Sequence, residues 1–452
     1  MFFKRIETEG LAHYSYMVGD GDDIAVIDPM RDVQVYMHEA RKAGMRIKYI
    51  LETHRNEDYV IGSMELSEKT GAKIYISDHE DLGHVYGERI RDGFELEMGE
   101  IRIKAIHTPG HTLGHMSYAL YEEGTEDAYM VFTGDCMFMG DFGRTDFYGE
   151  ENLEKMTGLL YDSVFNKILP LGDQVLLLPA HGAGSACGDS MDERPYSSLG
   201  YEKATNELLQ VESKEEFIDR FAKMRIKPRY FERMEVLNVK GGDFVGDEVV
   251  LNVLTVEEVE AIKDDVILVD ARTKEGYIGG HIPGSIFLSK DNLTAFLGSM
   301  YFPDDKLAFV IDGSMGEMEE IYWYCRRIGF DNMLGYLPEG IEIWQEKGID
   351  IHKLPTVTAS EYKEMDKGDD FILLDIRDAE EIEEGDPSEN RVNIHLKSLY
   401  ENLDKLDRNK TIYVLCGSGN RATTAASYLK FEGFNAAVIT GGVRMYRNIS
   451  QE

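Results

Sequence analysis

Thr53-His54-Arg55-Asn56-Glu57-Asp58-Tyr59 follows directly on Ile47 to Leu51, an apolar run of strand length. The same arrangement recurs along the first 190 or so residues. Ile24 to Ile27 runs into Asp28-Pro29, and Ile101 to Ile106 runs into His107-Thr108-Pro109-Gly110-His111. Met130-Val131-Phe132 runs into Thr133-Gly134-Asp135, and Val175 to Leu178 runs into Pro179-Ala180-His181. Each time a His or Asp stands just past the carboxyl end of a buried strand, where a loop exposes it and the strand fixes its position. Polar or helical stretches separate the runs, which predicts an α/β architecture. Asp32 is expected to cap a helix over Val33 to Ala43.

Several of these residues are metal-ligand types, and their order is specific. The stretch from His54 to Tyr59 resembles the His-x-His-x-Asp-His signature of the metallo-β-lactamase fold, with two substitutions. His111, Asp135 and His181 stand in the contexts which that family uses for its remaining ligands. The resemblance implies an αββα sandwich holding two metals. One site would use positions 54, 56 and 111, the other 58, 59 and 181, with Asp135 bridging. Asn56 puts a neutral amide where an imidazole would ligate, a weak donor to a transition metal. Tyr59 puts a phenol, protonated at neutral pH, in the place of the other. Both sites lose a ligand, so a single ion is expected rather than a pair.

Two remnants survive. His54, His111 and Asp135 make a two-His, one-carboxylate set, suited to non-haem Fe(II). Asp58, His181 and Asp135 make a one-His, two-carboxylate set. Ligand identity alone leaves Zn²⁺ open as the occupant, because it also works with three protein ligands. A metal-free relic of the fold is the third possibility. His13, His38, His79, His84 and His115 lack such a context and are expected to pack or face solvent, and His107 is expected outside the site. Arg144 could hold an anionic substrate group with its forked donors, or pair with Asp141 or Asp146. Cys187 follows His181 in a glycine-containing stretch. It could hold sulfur at the mouth of the site, or be a small buried residue. Cys136 and Cys325 read as core.

The chain has 452 residues, enough for about three domains. Apolar residues are 43% and charged residues 29%, a globular balance. No apolar run reaches about 18 residues, so no membrane span is expected. Residues Met1 to Gly10 lack an apolar core, so secretion is not expected. Four cysteines without a CxxC do not make a disulfide framework, and a cytoplasmic location fits. A net charge of −36 disfavours nucleic-acid binding.

Charged residues around apolar positions at helical spacing, from 196 to 246, read as a helical connector packing on a first domain of residues 1–195. It is expected to leave through Lys227-Pro228 and Gly241-Gly242. An internal repeat fills the rest. Thr255-Val256-Glu257-Glu258 matches Thr358-Ala359-Ser360-Glu361, and Leu268 to Arg272 matches Leu373 to Arg377. Phe309 to Ser314 matches Tyr413 to Ser418. The offset is too long for a solenoid, so two α/β domains are expected, 247–352 and 353–452.

In the second copy the apolar run Thr411 to Leu415 leads into Cys416-Gly417-Ser418-Gly419-Asn420-Arg421-Ala422 and then a helical pattern. Backbone N–H groups of such a loop converge on its centre, and the helix N-terminus adds partial positive charge. Arg421 adds a full charge if it points inward. Together these favour a thiolate or a persulfide on Cys416. Gly417 and Gly419 would let the backbone approach the sulfur, with Ser418 and Asn420 completing the binding loop. A strand, a Cys-headed loop and a helix resemble the active site of rhodanese sulfurtransferases, and Asp375-Ile376-Arg377 supports the match. That family's Gly-His-Ile-Pro-Gly segment is degenerate here, with Gly385-Asp386-Pro387 near its place. The first copy keeps it, as Gly280 to Gly284. There, however, Asp312 occupies the Cys416 position and Glu317 that of Arg421. Carboxylates cannot form a persulfide, so this copy is expected to be inactive.

The whole chain resembles the persulfide dioxygenase–rhodanese fusions. The likeness lies in Thr53-His54, Thr108 to His111, Thr133-Gly134-Asp135 and Gly143-Arg144-Thr145-Asp146-Phe147. It implies one Fe(II) on His54, His111 and Asp135, oxidation of a low-molecular-weight persulfide to sulfite with O₂, and transfer of sulfane sulfur from Cys416 to sulfite, giving thiosulfate. Asn56 and Tyr59 fall on positions that do not ligate iron in that family. A homo-oligomer is the family-level expectation. The alternatives are a Zn²⁺ thioester hydrolase of the glyoxalase-II kind, and a metal-free platform in which only Cys416 works.

Overall fold

A computed structural model describes residues 1–449 except 186, 189, 190, 247, 248, 367 and 369. The first residue of the expected middle domain, Asp247, and the last three of the chain therefore lie outside the described residues. The chain forms two compact units. One comprises residues 1–227, 231–248 and 326–329, the other 228–230, 249–325 and 330–452.

The first unit holds two six-stranded sheets. β1 (Phe2–Thr8), β2 (His13–Asp20), β3 (Asp23–Ile27), β4 (Arg46–Leu51), β5 (Lys73–Ser77) and β6 (Glu88–Ile90) lie side by side in chain order. β1 to β3 are antiparallel and β3 to β6 parallel. The second sheet runs β12-β11-β10-β9-β8-β7, from β7 (Glu95–Met98), β8 (Ile101–His107), β9 (Met116–Glu122), β10 (Ala128–Gly134), β11 (Leu176–Pro179) and β12 (Ser197–Ser198).

Strand alternation explains the layering. Tyr16, Val18, Ala25 and Ile27 of one sheet share a core with Ile103, Tyr118, Leu120, Met130 and Phe132 of the other. The residues between them point outward. Met17, Ile24 and Val26 pack under Tyr36 and Ala40 of the helix Gln34–Ala43 and Leu66 of the helix Ser63–Thr70. Ala119, Tyr121 and Val131 pack under Leu160 of the helix Leu153–Ser163. The architecture is the expected αββα sandwich. Phe217 and Phe221, on the helix Lys214–Phe221, join this last core. A further helix, Phe231–Lys240, interrupts the expected extended exit between Pro228 and Gly241. Asp32 does not cap its helix. The N-cap is Val33, without a side-chain hydrogen bond, and Asp32 pairs with Arg327 at 2.7 Å instead.

The second unit contains the repeat as two parallel sheets. The first is β14-β13-β15-β16, from β13 (Ile267–Asp270), β14 (Ile286–Phe287), β15 (Leu307–Val310) and β16 (Met333–Leu337). The second is β17-β21-β20-β18-β19, from β17 (Thr356–Thr358), β18 (Phe371–Asp375), β19 (Arg391–Asn393), β20 (Thr411–Leu415) and β21 (Asn435–Thr440). The orders superimpose strand for strand. The counterpart of β17 in the first copy is a single bridge from Val253 to Tyr336. The repeated Thr-x-x-Glu tetrapeptides are capping boxes, each opening a helix: Thr255 with Glu258, and Thr358 with Glu361. Among the described residues no helix is long and apolar enough to cross a membrane.

Candidate metal centre and sulfur-carrier loop

The strand ends deliver the polar residues to one place, and hydrogen bonds then orient them. Past β4, the Thr53 N–H and hydroxyl both donate to the Asp28 carboxylate, at 2.8 and 2.7 Å. The committed hydroxyl proton leaves Thr53 Oγ1 to accept from His54 Nδ1 at 2.8 Å. His111 Nδ1 donates to the Arg144 carbonyl at 2.8 Å. Each ring therefore spends its Nδ1 proton outward and turns Nε2 inward, the orientation that protein partners impose on metal-binding imidazoles. Gly143 makes the second of these bonds possible, because a Cβ there would meet the Asp135 carbonyl oxygen at 1.9 Å and His111 Nδ1 at 3.0 Å.

Asp135 is held from both ends. Its N–H donates to His115 Nε2 at 3.0 Å, and its Oδ1 accepts from His181 Nδ1 at 2.7 Å. Its Oδ2 lies 3.5 Å from His111 Nε2. Donor atoms of His54, His111 and Asp135 all fall within 4.8 Å of one another, and all three residues are buried. His111 Nε2 and Asp135 Oδ2 have no hydrogen-bond partner among the described residues. Leaving a buried polar group unpaired costs about 1–3 kcal/mol, so two of them aimed at a common centre fit a bound cation. Burial pulls the His54 imidazole well below its usual range, which keeps it neutral and able to ligate. Burial pushes the Asp135 carboxyl up, but His181 and His111, whose imidazoles the surrounding carboxylates hold above their usual range against burial, outweigh it and keep the group well below the carboxylate range.

A second donor set lies beside the first. Asp58, His181 and Cys187 also bring donor atoms within 4.8 Å of one another, all buried. Cys187 stands in this set where Asp135 is expected, and Asp135 instead accepts from His181 Nδ1. The two substituted positions stay out. Asn56 Nδ2 donates weakly to the His54 carbonyl at 3.4 Å, and Tyr59 turns its hydroxyl to the Asp28 carbonyl at 3.4 Å. Burial pushes the Tyr59 phenol well above its ordinary range.

The structure also brings in residues that the motif reading missed. Glu57 is buried, and its Oε2 lies 3.6 Å from His111 Nε2 and 3.8 Å from His54 Nε2 with no hydrogen-bond partner. Asn238 donates from its amide to the carbonyls of Asn56 and Tyr59, both at 2.7 Å, and accepts from Ile61 N–H at 2.9 Å. It pins the ligand loop from 180 residues away, and its only sequence signal is an amide among the apolar positions of a helix. His115 holds Asp135 as above. Arg144 is 2% exposed. Its Nε and Nη2 donate to Asp146, each at 2.7 Å, and Nη1 to the Ile226 carbonyl at 3.2 Å. Of its two expected roles the ion pair is the one formed, and its guanidinium has little left for a substrate. His107 lies outside the site, stacked on His79.

In the second unit Cys416 follows β20 and heads the helix Asn420–Phe431. Its sulfur accepts the N–H groups of Gly419 at 3.1 Å and Ala422 at 3.3 Å. Gly419 adopts a φ of 103°, which a side chain would strain. Gly417 is under no such demand, since a Cβ there would meet nothing nearer than Arg421 at 3.8 Å. A cavity of about 440 Å³ opens over the sulfur. Gly417, Ser418, Asn420 and Arg421 line it, as does Arg444. Arg421 points along the cavity, but Glu381 grips it with two bonds of 2.6 and 2.7 Å. Asp375, the partner strand's last residue, pairs with Arg377 at 2.7 Å below the loop.

Residues 8–181 match the family model of the metallo-beta-lactamase superfamily. Residues 255–347 and 358–448 match that of the rhodanese-like domain. The chain is a metallo-beta-lactamase-superfamily domain fused to two rhodanese-like domains. A metallo-beta-lactamase structure from Staphylococcus aureus subsp. aureus COL superposes on this fusion with a TM-score of 0.67 and 29% identity, covering 75% of this chain and 99% of that one. Relatives of the metallo-beta-lactamase domain include a hydrolase and a persulfide dioxygenase. Hydroxyacylglutathione hydrolase GloC of Haemophilus influenzae is 26% identical over 215 residues, 43% of this chain and 91% of the relative. The mitochondrial persulfide dioxygenase ETHE1 of Homo sapiens is 32% identical over 176 residues, 37% of this chain and 63% of the relative. Its Bos taurus counterpart is 29% identical over 238 residues, 51% of this chain and 84% of the relative.

Proposed function

We propose that the metallo-beta-lactamase domain oxidises a low-molecular-weight persulfide with O₂, and that Cys416 of the second rhodanese-like domain carries sulfane sulfur to the sulfite produced. The observation that carries this reading is the convergence of His54, His111 and Asp135, with unpartnered His111 Nε2 and Asp135 Oδ2, in a chain that also holds a cradled Cys416. The overall oxidation balances as RSSH + O₂ + H₂O giving RSH and sulfurous acid. One Fe(II) on the three donors supplies the redox chemistry this requires; Zn²⁺ is the other occupant that the donors admit. The chain's own residues do the rest. Thr53 and the Arg144 carbonyl hold the two imidazoles in the ligating tautomer. His115 and His181 hold Asp135, and the buried surroundings keep bulk water away.

At the second site the Gly419 and Ala422 N–H groups and the helix N-terminus stabilise negative charge on sulfur. A persulfide on Cys416 gives its outer sulfur to sulfite. The S–S bond to Cys416 breaks, a new S–S bond to sulfite forms, and thiosulfate leaves with the Cys416 thiolate restored. Tethering makes one domain's product the other's acceptor at raised effective concentration. We assign this division of labour to residues 1–195 and 353–452, with 196–246 and 247–352 between them, in a cytoplasmic homo-oligomer. The test is oxygen uptake with glutathione persulfide by anaerobically prepared, iron-loaded protein, with sulfite and thiosulfate measured together. A protein that holds iron and consumes no oxygen sinks the reading.

The resemblance to GloC favours a second reading, in which Zn²⁺ on the same donors activates water against a glutathione thioester. Thioester hydrolysis by the zinc-loaded protein, with no oxygen uptake by the iron-loaded one, would select it.

A further inference from the structure

Arg377, Arg421, Arg444 and Arg447 line the Cys416 cavity, and their partners differ. Arg377 donates to Asp375 and Asp386, at 2.7 and 2.9 Å. Arg421 is held by both oxygens of Glu381, at 2.7 and 2.6 Å. Arg447 donates to both oxygens of Asp386, at 2.7 and 2.8 Å, and to Glu383 at 2.8 Å. Arg444 is exposed, and among the described residues its side chain makes no hydrogen bond or ion pair. Three of the guanidiniums are thus answered by carboxylates of this chain, and the fourth is left for a ligand.

The backbone fixes where Arg444 begins. Gly442 opens the helix Gly442–Ile449 at a φ of 56°, and a Cβ there would clash with the carbonyl oxygens of Cys416 and Gly417. Without one, the Val443 N–H donates to the Cys416 carbonyl at 2.9 Å and the Arg444 N–H to the Gly417 carbonyl at 3.2 Å. Both carbonyls are thereby engaged, which weakens their repulsion of an anion. The sulfur keeps the N–H groups of Gly419 and Ala422.

The first copy supplies an internal comparison. Its helix Gly340–Glu346 also opens on a glycine of positive φ, 52°, where a Cβ would clash with the Asp312 carboxylate. The third residue of that helix is Glu342, where the second copy has Arg444. The copy without the nucleophile therefore has the opposite charge at this position as well.

We propose that Arg444 binds the oxyanion of the sulfur acceptor, sulfite, beside the persulfide of Cys416. The assignment rests on Cys416 being the sulfur carrier. Transfer brings two anions together. Sulfite gives the electron pair of its sulfur to the outer sulfur of the persulfide, the pair of the breaking S–S bond stays on Cys416, and no proton moves. The Gly419 and Ala422 N–H groups are spent on the Cys416 sulfur, so the acceptor needs a cation of its own. A guanidinium offers it forked donors. Arg421 would first have to give up two charge-assisted bonds to Glu381, whereas Arg444 has none to break.

The test has two arms, both on the full-length protein. The first measures alkylation of Cys416, by peptide mass spectrometry, with iodoacetate, which carries an oxyanion, and with neutral iodoacetamide. Arg444→Gln should slow iodoacetate by about tenfold and leave iodoacetamide unchanged. Arg444→Lys should recover part of the loss. The second arm loads Cys416 with glutathione persulfide and follows its discharge by sulfite. Arg444→Gln should raise the sulfite concentration for half-maximal discharge by about tenfold, with the loading rate unchanged. Equal iodoacetate-to-iodoacetamide ratios in wild type and Arg444→Gln overturn the proposal, as does a lysine no better than glutamine. A defect in loading without one in discharge also overturns it, because the carboxylate of the donor would then be the anion at Arg444. Wild-type Cys416 that takes up no sulfur, while Arg444→Gln still abolishes the preference for iodoacetate, refutes the carrier reading and upholds the oxyanion site.

Discussion

The two rhodanese-like copies share strand order, capping boxes and a buried Asp–Arg pair, yet differ at the single loop where sulfur chemistry would occur. In one copy Cys416 sits under Gly419 and Ala422 N–H groups, 1% exposed. In the other, Asp312 has a side chain 57% exposed, 4.0 Å from Arg272, and Glu317 folds back over Gly313. The two copies thus keep one scaffold while the residue that heads the loop differs, a buried thiol in one and a solvent-facing carboxylate in the other. The comparison also explains the degenerate motif of the second copy. Where the first copy has His281, the second has Asp386, which accepts from Arg377 at 2.9 Å and from Arg447 at 2.7 Å. Arg377 therefore has two buried carboxylates, while Arg272 has Asp270 and the Gly280 carbonyl.

The largest test of the contrast is Cys416→Ser. Thiosulfate formation should fall to background while oxygen uptake with glutathione persulfide continues; loss of both would join the two activities that we have separated. Next comes the reciprocal change in the first copy. Asp312→Cys alone should give no sulfur transfer, because Glu317 repels an anionic sulfur. Asp312→Cys with Glu317→Arg should give a measurable rate in a Cys416→Ser background, read as thiocyanate from thiosulfate and cyanide. Equal rates in the single and double variants would show that charge at this position does not matter.

The paired carboxylates offer a stability test. Breaking a buried ion pair from one side costs about 3–5 kcal/mol, so Asp270→Asn should destabilise by that order. Asp375→Asn should cost less, since Asp386 remains on Arg377. Denaturant midpoints of the two variants would have to be equal to contradict this. The smallest effect belongs to the capping boxes. Thr255→Ala and Thr358→Ala should each cost about 1 kcal/mol, and alike, because both copies close the same pair of bonds. A clear inequality in thermal unfolding would mean that the two boxes differ in surroundings rather than in chemistry.

Much of the fold was legible along the chain. Continuous apolar runs such as Ile24 to Ile27 encode strands buried on both faces, and a repeat announces itself by matching residues. The polar strand ends were legible for the same reason, since His54, His111, Asp135 and His181 each follow an apolar run. What linear reading could not supply is direction and distance across the chain. Asp32 looks like a cap and instead pairs with Arg327. Arg144 looks like an anion clamp and is consumed by Asp146.

By itself the sequence determined the apolar runs that end in His or Asp and the repeated α/β domains, because residue type and local period depend on near neighbours alone. The two-sheet sandwich, the loss of two ligating imidazoles and the exchange of Cys for Asp at position 312 followed from the family resemblance that those motifs carry. Tertiary structure alone decided that Glu57 faces the two imidazoles, that Asn238 pins the ligand loop and that Cys187 joins Asp58 and His181. Those meetings depend on where distant segments return in space, and backbone packing sets that rather than any local pattern.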